Sequence, residues 1–216
     1  MAIAAKRASI RREAAPRRIS REESKEQTRE KLLAAGRKVL AQRGLDATQI
    51  RDVIREADLA IGTFYLHFKS KDELFCAIVE ESSRELGRRL REVRMGGDPG
   101  QTLRQRIENA VRAFAEFVVA EKDLFRILFR EGIAGAGAQG QVGRRMLEQA
   151  TRDLREDLDR GEKLGFIRRA DLDRLAPAII GMCASQGFQL VGEKNPDVEE
   201  TTSFLTRMIL GGIAAL

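Results

Sequence analysis

The twelve residues Thr63-Phe64-Tyr65-Leu66-His67-Phe68-Lys69-Ser70-Lys71-Asp72-Glu73-Leu74 set apolar anchors, hydrogen-bonding side chains and cations close together. Phe64 and Phe68 are four residues apart, so on a helix they share one face and can be buried together. Thr63 and His67 have the same spacing on a neighbouring face, with Tyr65 between them. Hydroxyl, phenol and imidazole groups all hydrogen-bond to phosphate oxygens, and Lys69 and Lys71 add positive charge beside them. A polyanion is the partner such a set would suit.

Upstream, the pattern predicts two more helices. The first runs from about Lys25 to Arg43, with Leu32, Gly36, Val39 and Leu40 facing the core and Gly44 ending it in a left-handed conformation. The second is short, from an N-cap at Thr48 to about Ala57, and buries Ile50, Val53 and Ile54. Ala57-Asp58-Leu59-Ala60 makes the turn, and Ile61 to about Phe68 forms the third helix. Residues 1–24 mix Ala, Arg and Pro without periodicity and are expected to be a disordered basic arm.

Charge supports the polyanion reading. Residues 1–71 hold 17 Lys and Arg against 9 Asp and Glu, whereas residues 72–216 hold 22 against 24. The basic surplus therefore lies wholly in the N-terminal third.

Residues 28–74 closely resemble the helix-turn-helix and following helix start of the tetracycline-repressor (TetR) family of bacterial transcriptional regulators. The resemblance implies a role for each matching position. Thr48, Gln49 and Arg51 at the start of the second helix contact phosphates and some base edges. Ile61, Gly62, Thr63, Tyr65 and His67 enter the major groove. Lys71 binds phosphate from the next helix, and Lys69 lies beside it. The chemistry agrees, since an amide such as Gln49 pairs with adenine and a guanidinium such as Arg51 with phosphate or guanine. Three positions depart from the family pattern. Asp58 stands where the turn usually has Gly, Ile54 where a small residue is common, and Ala60 where Ser would cap the third helix.

The rest of the chain reads as helix. Ser70 with Glu73 makes a capping box for a fourth helix reaching about Met95, and Gly96-Gly97-Asp98-Pro99-Gly100 breaks the chain. Further helices are predicted around Leu103–Val118, Asp123–Glu131, Met146–Leu158, Leu172–Val191 and Val198–Ile213, with loop at the start of the Gly/Ala-rich segment 132–143. The expected fold is all-α, with about nine helices: an N-terminal three-helix helix-turn-helix DNA-binding domain (25–71) and a C-terminal helical ligand-binding and dimerisation domain (72–216).

Related regulators hold an effector between the central helices. Phe114, Phe117, Phe125, Phe129, Met146 and Cys183 are the candidate lining, for a small and lipophilic molecule. Without Trp, and with one Tyr, an aromatic cage for a cation is not expected. The last two helices carry Gly181, Ala184, Gly187, Gly211 and Gly212 among large apolar residues. The resemblance implies a homodimer through them, bound to double-stranded DNA.

Other chemistries find little support. One histidine and two distant cysteines do not make a metal site, and no cofactor is expected. Cys76 and Cys183 read as buried thiols in a reducing compartment, the cytoplasm. No apolar run approaches the roughly 18–20 residues of a membrane-spanning helix. Two rival readings remain: an architectural DNA-binding protein without an effector, and a dinucleotide-binding enzyme. The second rests on Gly135-Ala136-Gly137-Ala138-Gln139-Gly140, which needs a preceding strand for which Leu124–Phe129 is the sole candidate.

Overall fold

The computed structural model describes residues 20–96, 100–128, 137–167 and 171–214. Among them are nine helices and no strand: α1 (Arg21–Ala47), α2 (Ile50–Ala57), α3 (Ile61–Tyr65), α4 (Lys71–Met95), α5 (Leu103–Ala120), α6 (Lys122–Ile127), α7 (Ala138–Lys163), α8 (Leu172–Gly192) and α9 (Val198–Ala214). The Leu124–Ile127 stretch is helical within α6, so the strand required by the dinucleotide-binding reading is not there.

Local signals explain most boundaries. α1 begins four residues before the expected Lys25, because Ser20 accepts from the Glu23 N–H at 3.0 Å while Glu23 accepts from the Ser20 N–H at 2.8 Å. That reciprocal cap shortens the expected arm, and residues 1–19 lie outside the described part. Gly44 has φ 73° and ψ 172°, a positive φ as expected, but the chain kinks there rather than ending in a left-handed conformation, and α1 runs on to Ala47. Asp58 has φ 52° and ψ 51° and is the one non-glycine residue with positive φ among those described. The Leu59 N–H then donates to the Ile54 carbonyl at 3.0 Å, closing the turn between α2 and α3. α3 is shorter than predicted, since the His67 N–H donates to the Phe64 carbonyl only three residues back and the last turn tightens. α7 starts at Ala138, inside the segment read as loop.

One apolar core joins α1, α2 and α3 to the first half of α4 and onward to α5, α6 and the start of α7. Phe64, Phe68, Leu32, Val53, Phe75 and Ile78 belong to it. The boundary expected between residues 71 and 72 falls within this core. α1 and α4 cross closely at Gly36, where a Cβ would come within 2.9 Å of both Leu74 and Ile78 side chains. A second, distal core gathers Val111, Leu158, Ala176, Ile179 and Leu205 from α5, α7, α8 and α9.

α8 is a correction. It has 21 residues, and length and composition alone would let it cross a membrane. It packs against α5, α6, α7 and α9, yet only 28% of its apolar window is buried inside this chain.

Candidate functional site

The buried side of the helix-turn-helix positions its outer face. Phe64 is fully buried and Phe68 nearly so, with ring centroids 5.8 Å apart. The Arg29 guanidinium covers the Phe68 ring at 5.5 Å. Asp52, also buried, holds the start of α2. It accepts from Arg43 at 3.2 Å, from Arg55 at 3.0 Å and from the Gln49 N–H at 3.3 Å. Gln49, not Thr48, therefore caps α2.

Two expected phosphate contacts point inward. Thr48 is buried and its hydroxyl donates to the Gly44 carbonyl at 2.6 Å. The Lys71 ammonium donates to the carbonyls of Leu45 (2.9 Å), Asp46 (3.1 Å) and Thr48 (3.3 Å). Those carbonyls end α1, where the helix dipole favours a cation. Sequence reasoning missed this, because the acceptors are more than twenty residues away.

The other predicted residues form an outer face. Gln49, Arg51, Ile61, Gly62, Tyr65 and Lys69 are exposed, while Thr63 and His67 are half-buried. Ile61 and Tyr65 are each 55% exposed. A Cβ at Gly62 would meet nothing within 4 Å, so packing inside this chain does not require glycine there. Ala60 leaves α3 without a side-chain cap, as anticipated. Partial burial, then Lys25 and Arg29, push the His67 pKa below its ordinary 6.5. At Ser70 the hydroxyl accepts from the Glu73 N–H, but the Glu73 carboxylate turns to the Lys69 N–H at 2.6 Å. The capping box is thus displaced by one residue.

A cavity of about 990 Å³ lies between α4, α5, α7 and α8. Phe114, Phe125, Met146 and Cys183 line it, as expected. Phe117 does not: it lies in the core, edge-on to Phe125 at 6.1 Å and beneath the Arg89 guanidinium. Phe129 is outside the described residues. Burial pushes the Cys183 thiol up to about 11, and raises Cys76 as well. Neither cysteine is part of a disulfide among the described residues.

Charged residues that sequence reasoning passed over also reach the cavity. The seam between α4 and α7 carries three ion pairs: Glu80 with Arg145 (3.1 Å), Arg91 with Asp153 (3.2 Å) and Arg94 with Asp157 (2.7 Å). The Arg94 Nε and Asp157 Oδ2 are in contact but misaligned, so neither atom makes a hydrogen bond there. Desolvation lowers the Arg94 pKa. A charge next to the α4 stripe of Leu86, Leu90 and Val93 was the available clue.

On α8 and α9, Phe188, Phe204 and Met208 are exposed, with open space around Gly181, Gly211 and Gly212.

Comparison with known proteins agrees with this geometry. Residues 32–78 match the bacterial regulatory proteins of the tetR family, and residues 103–212 match the tetracyclin repressor-like C-terminal domain. Among solved structures, a regulator from Syntrophomonas wolfei assigned to the TetR family superposes with a TM-score of 0.74 at 20% identity, covering 88% of this chain and 97% of its own. A TetR-family transcriptional regulator from Pectobacterium atrosepticum gives 0.69 at 26% identity, covering 90% and 97%. A fatty acid degradation regulator from Bacillus halodurans gives 0.70 at 18%, covering 86% and 96%. With helix-turn-helix and C-terminal domain both matched over most of its length, the chain belongs to the TetR family of DNA-binding bacterial transcriptional regulators.

Proposed function

We propose that the chain is a homodimeric repressor that binds a near-palindromic operator and is released by a small, lipophilic effector. The observation that carries this reading is the 990 Å³ cavity, walled along one side by the helix that starts at the DNA-reading unit. An effector filling it would favour a dimer whose recognition helices are wrongly spaced for two adjacent grooves. The apolar face at Phe188, Phe204 and Met208 supports the dimer, because a patch with glycine gaps suits close helix packing. Two cysteines outside any disulfide fit a reducing cytoplasm.

The DNA contacts we assign to α2 and α3 are Gln49, Arg51, Ile61, Gly62, Thr63, Tyr65 and His67, with Lys69 on the flanking phosphate. Thr48 and Lys71 take part through the backbone and through the fold. The effector site is assigned to Phe114, Phe125, Met146 and Cys183. Residues 25–71 would read DNA, with 72–216 binding effector and partner.

Selection of bound fragments from genomic DNA, followed by a screen for compounds that release them, tests the proposal. A specificity ratio of roughly 10³ or more over random DNA is expected. Equal binding to all duplexes would favour an architectural protein, and a monomer at micromolar concentration in sedimentation would remove the two half-sites.

A further inference from the structure

The outer face of α3 has a chemistry that the residues assigned above do not convey. Successive residues on a helix turn by roughly 100°, so with Phe64 and Phe68 buried on one side, the opposite line is Gly62 and Leu66. Leu66 keeps helical backbone angles, φ −73° and ψ −19°, just beyond the last residue of α3. At 76% it is the most exposed large apolar side chain among the described residues. Ile61 and Tyr65, each 55% exposed, lie to one side of it. Gly62 adds no bulk beneath, so Leu66 is the foremost group on the helix.

From Ile61 to Phe68 there is no Arg, Lys, Asn or Gln. Those are the side chains whose forked groups read guanine and adenine in the major groove. Cations stand to the side instead, at Arg51 and Lys69, with Lys25 and Arg29 near His67. A protein partner for an apolar tip surrounded by positive charge fits poorly. A duplex fits well, with its phosphates meeting the cations and its bases meeting the tip. In the major groove the one apolar group a base offers is the C5 methyl of thymine.

We propose that Leu66 and Ile61 read thymine methyls, so that the base pairs beneath α3 in each half-site are predominantly A·T. This deepens the DNA-binding reading above and rests on it. Arg51, on α2, is then the side chain available for a guanine at the edge of the same half-site.

Purified full-length protein and a randomised duplex library give the preferred site, and each thymine in it is then replaced by deoxyuridine. That exchange removes the methyl and keeps every hydrogen-bonding group. Each methyl touched by Leu66 or Ile61 should contribute about fourfold in affinity, the value of one buried carbon. Leu66→Ala should bind the thymine duplex more weakly and lose the discrimination at the methyls Leu66 touches, and Leu66→Ala with Ile61→Ala should no longer distinguish it from the deoxyuridine duplex. The melting temperature of Leu66→Ala should stay close to the parent's, since the side chain is 76% exposed. Half-sites rich in G·C beneath α3, or equal binding of thymine and deoxyuridine duplexes by the parent, would overturn the proposal and leave the regulator reading intact. No enrichment of any sequence would overturn both.

Discussion

The Lys71 ammonium donates to the Leu45 carbonyl at 2.9 Å, tying the first residue of α4 to the last turn of α1. Two further carbonyls share the same group. A lysine in a position that the family resemblance assigns to phosphate is thus engaged in holding α4 against the helix-turn-helix. Lys71→Met should cost about 1–2 kcal/mol, below the upper range for charged hydrogen bonds because the site is half-exposed. Chemical denaturation measures it. If the ammonium stays on the carbonyls when DNA binds, affinity falls with no change in the slope of log K against log salt. A slope smaller by about one would return Lys71 to the phosphate.

Gly62→Ala separates folding from binding. Open space surrounds the missing Cβ, and alanine favours helix over glycine by about 0.5–1 kcal/mol. The variant should therefore melt at or above the parent temperature and bind operator less tightly, because the added methyl sits where the backbone approaches the groove. Tighter or unchanged binding would show that α3 does not approach along this line.

Asp58 occupies the left-handed region at φ 52°. Asp58→Gly should relieve that strain, partly offset by a more flexible unfolded chain, for a net gain below about 1 kcal/mol. An unchanged or lower melting temperature would show that the turn is not strained.

His67 has a folded pKa below its unfolded value, through burial and then Lys25 and Arg29. The folded chain thus binds fewer protons just below pH 6.5. Stability from this site is present above the unfolded pKa and is lost as pH falls through the folded one. A phosphate beside the ring reverses the preference. Operator affinity should therefore rise as pH falls from about 7.5 to about 6, and rise less in His67→Gln. Identical pH profiles for the two proteins would place the ring away from phosphate.

Cys183, pushed up to about 11 on the cavity wall, is a thiol at neutral pH. In a Cys76→Ser background its alkylation should be slow, accelerate as pH is raised, and slow again when a cavity ligand is bound. Alkylation rates by mass spectrometry decide the matter, and no protection by any releasing compound would place the effector elsewhere.

Periodicity with caps and breakers located the nine helices of the described residues, since apolar residues three and four apart and the glycines between them are local properties of the chain. The Asp58 turn and the unassisted start of α3 at Ala60 were equally local. The inward hydrogen bonds of Thr48 and Lys71 were not foreseen, because they depend on the backbone geometry set by the kink at Gly44. The Ser20–Glu23 cap was readable and was overlooked. Four of the six cavity candidates line the cavity, but Phe117 shows the limit of spacing: it is one turn from Phe114 on α5 and faces the core. Arg94 and Asp157 meet only after α4 and α7 pack, so neither helix could reveal the pair.

α4 runs unbroken from Lys71, anchored at the foot of the helix-turn-helix, to Arg94 on the cavity wall. Twenty-five residues at about 1.5 Å each make a rod of roughly 37 Å. Pivoting such a rod by about 5° at one end sweeps the other through roughly 3 Å, close to the 3.4 Å step between stacked base pairs. On the function proposed above, a ligand that tilts α4 by that angle would throw α3 about one base pair out of register.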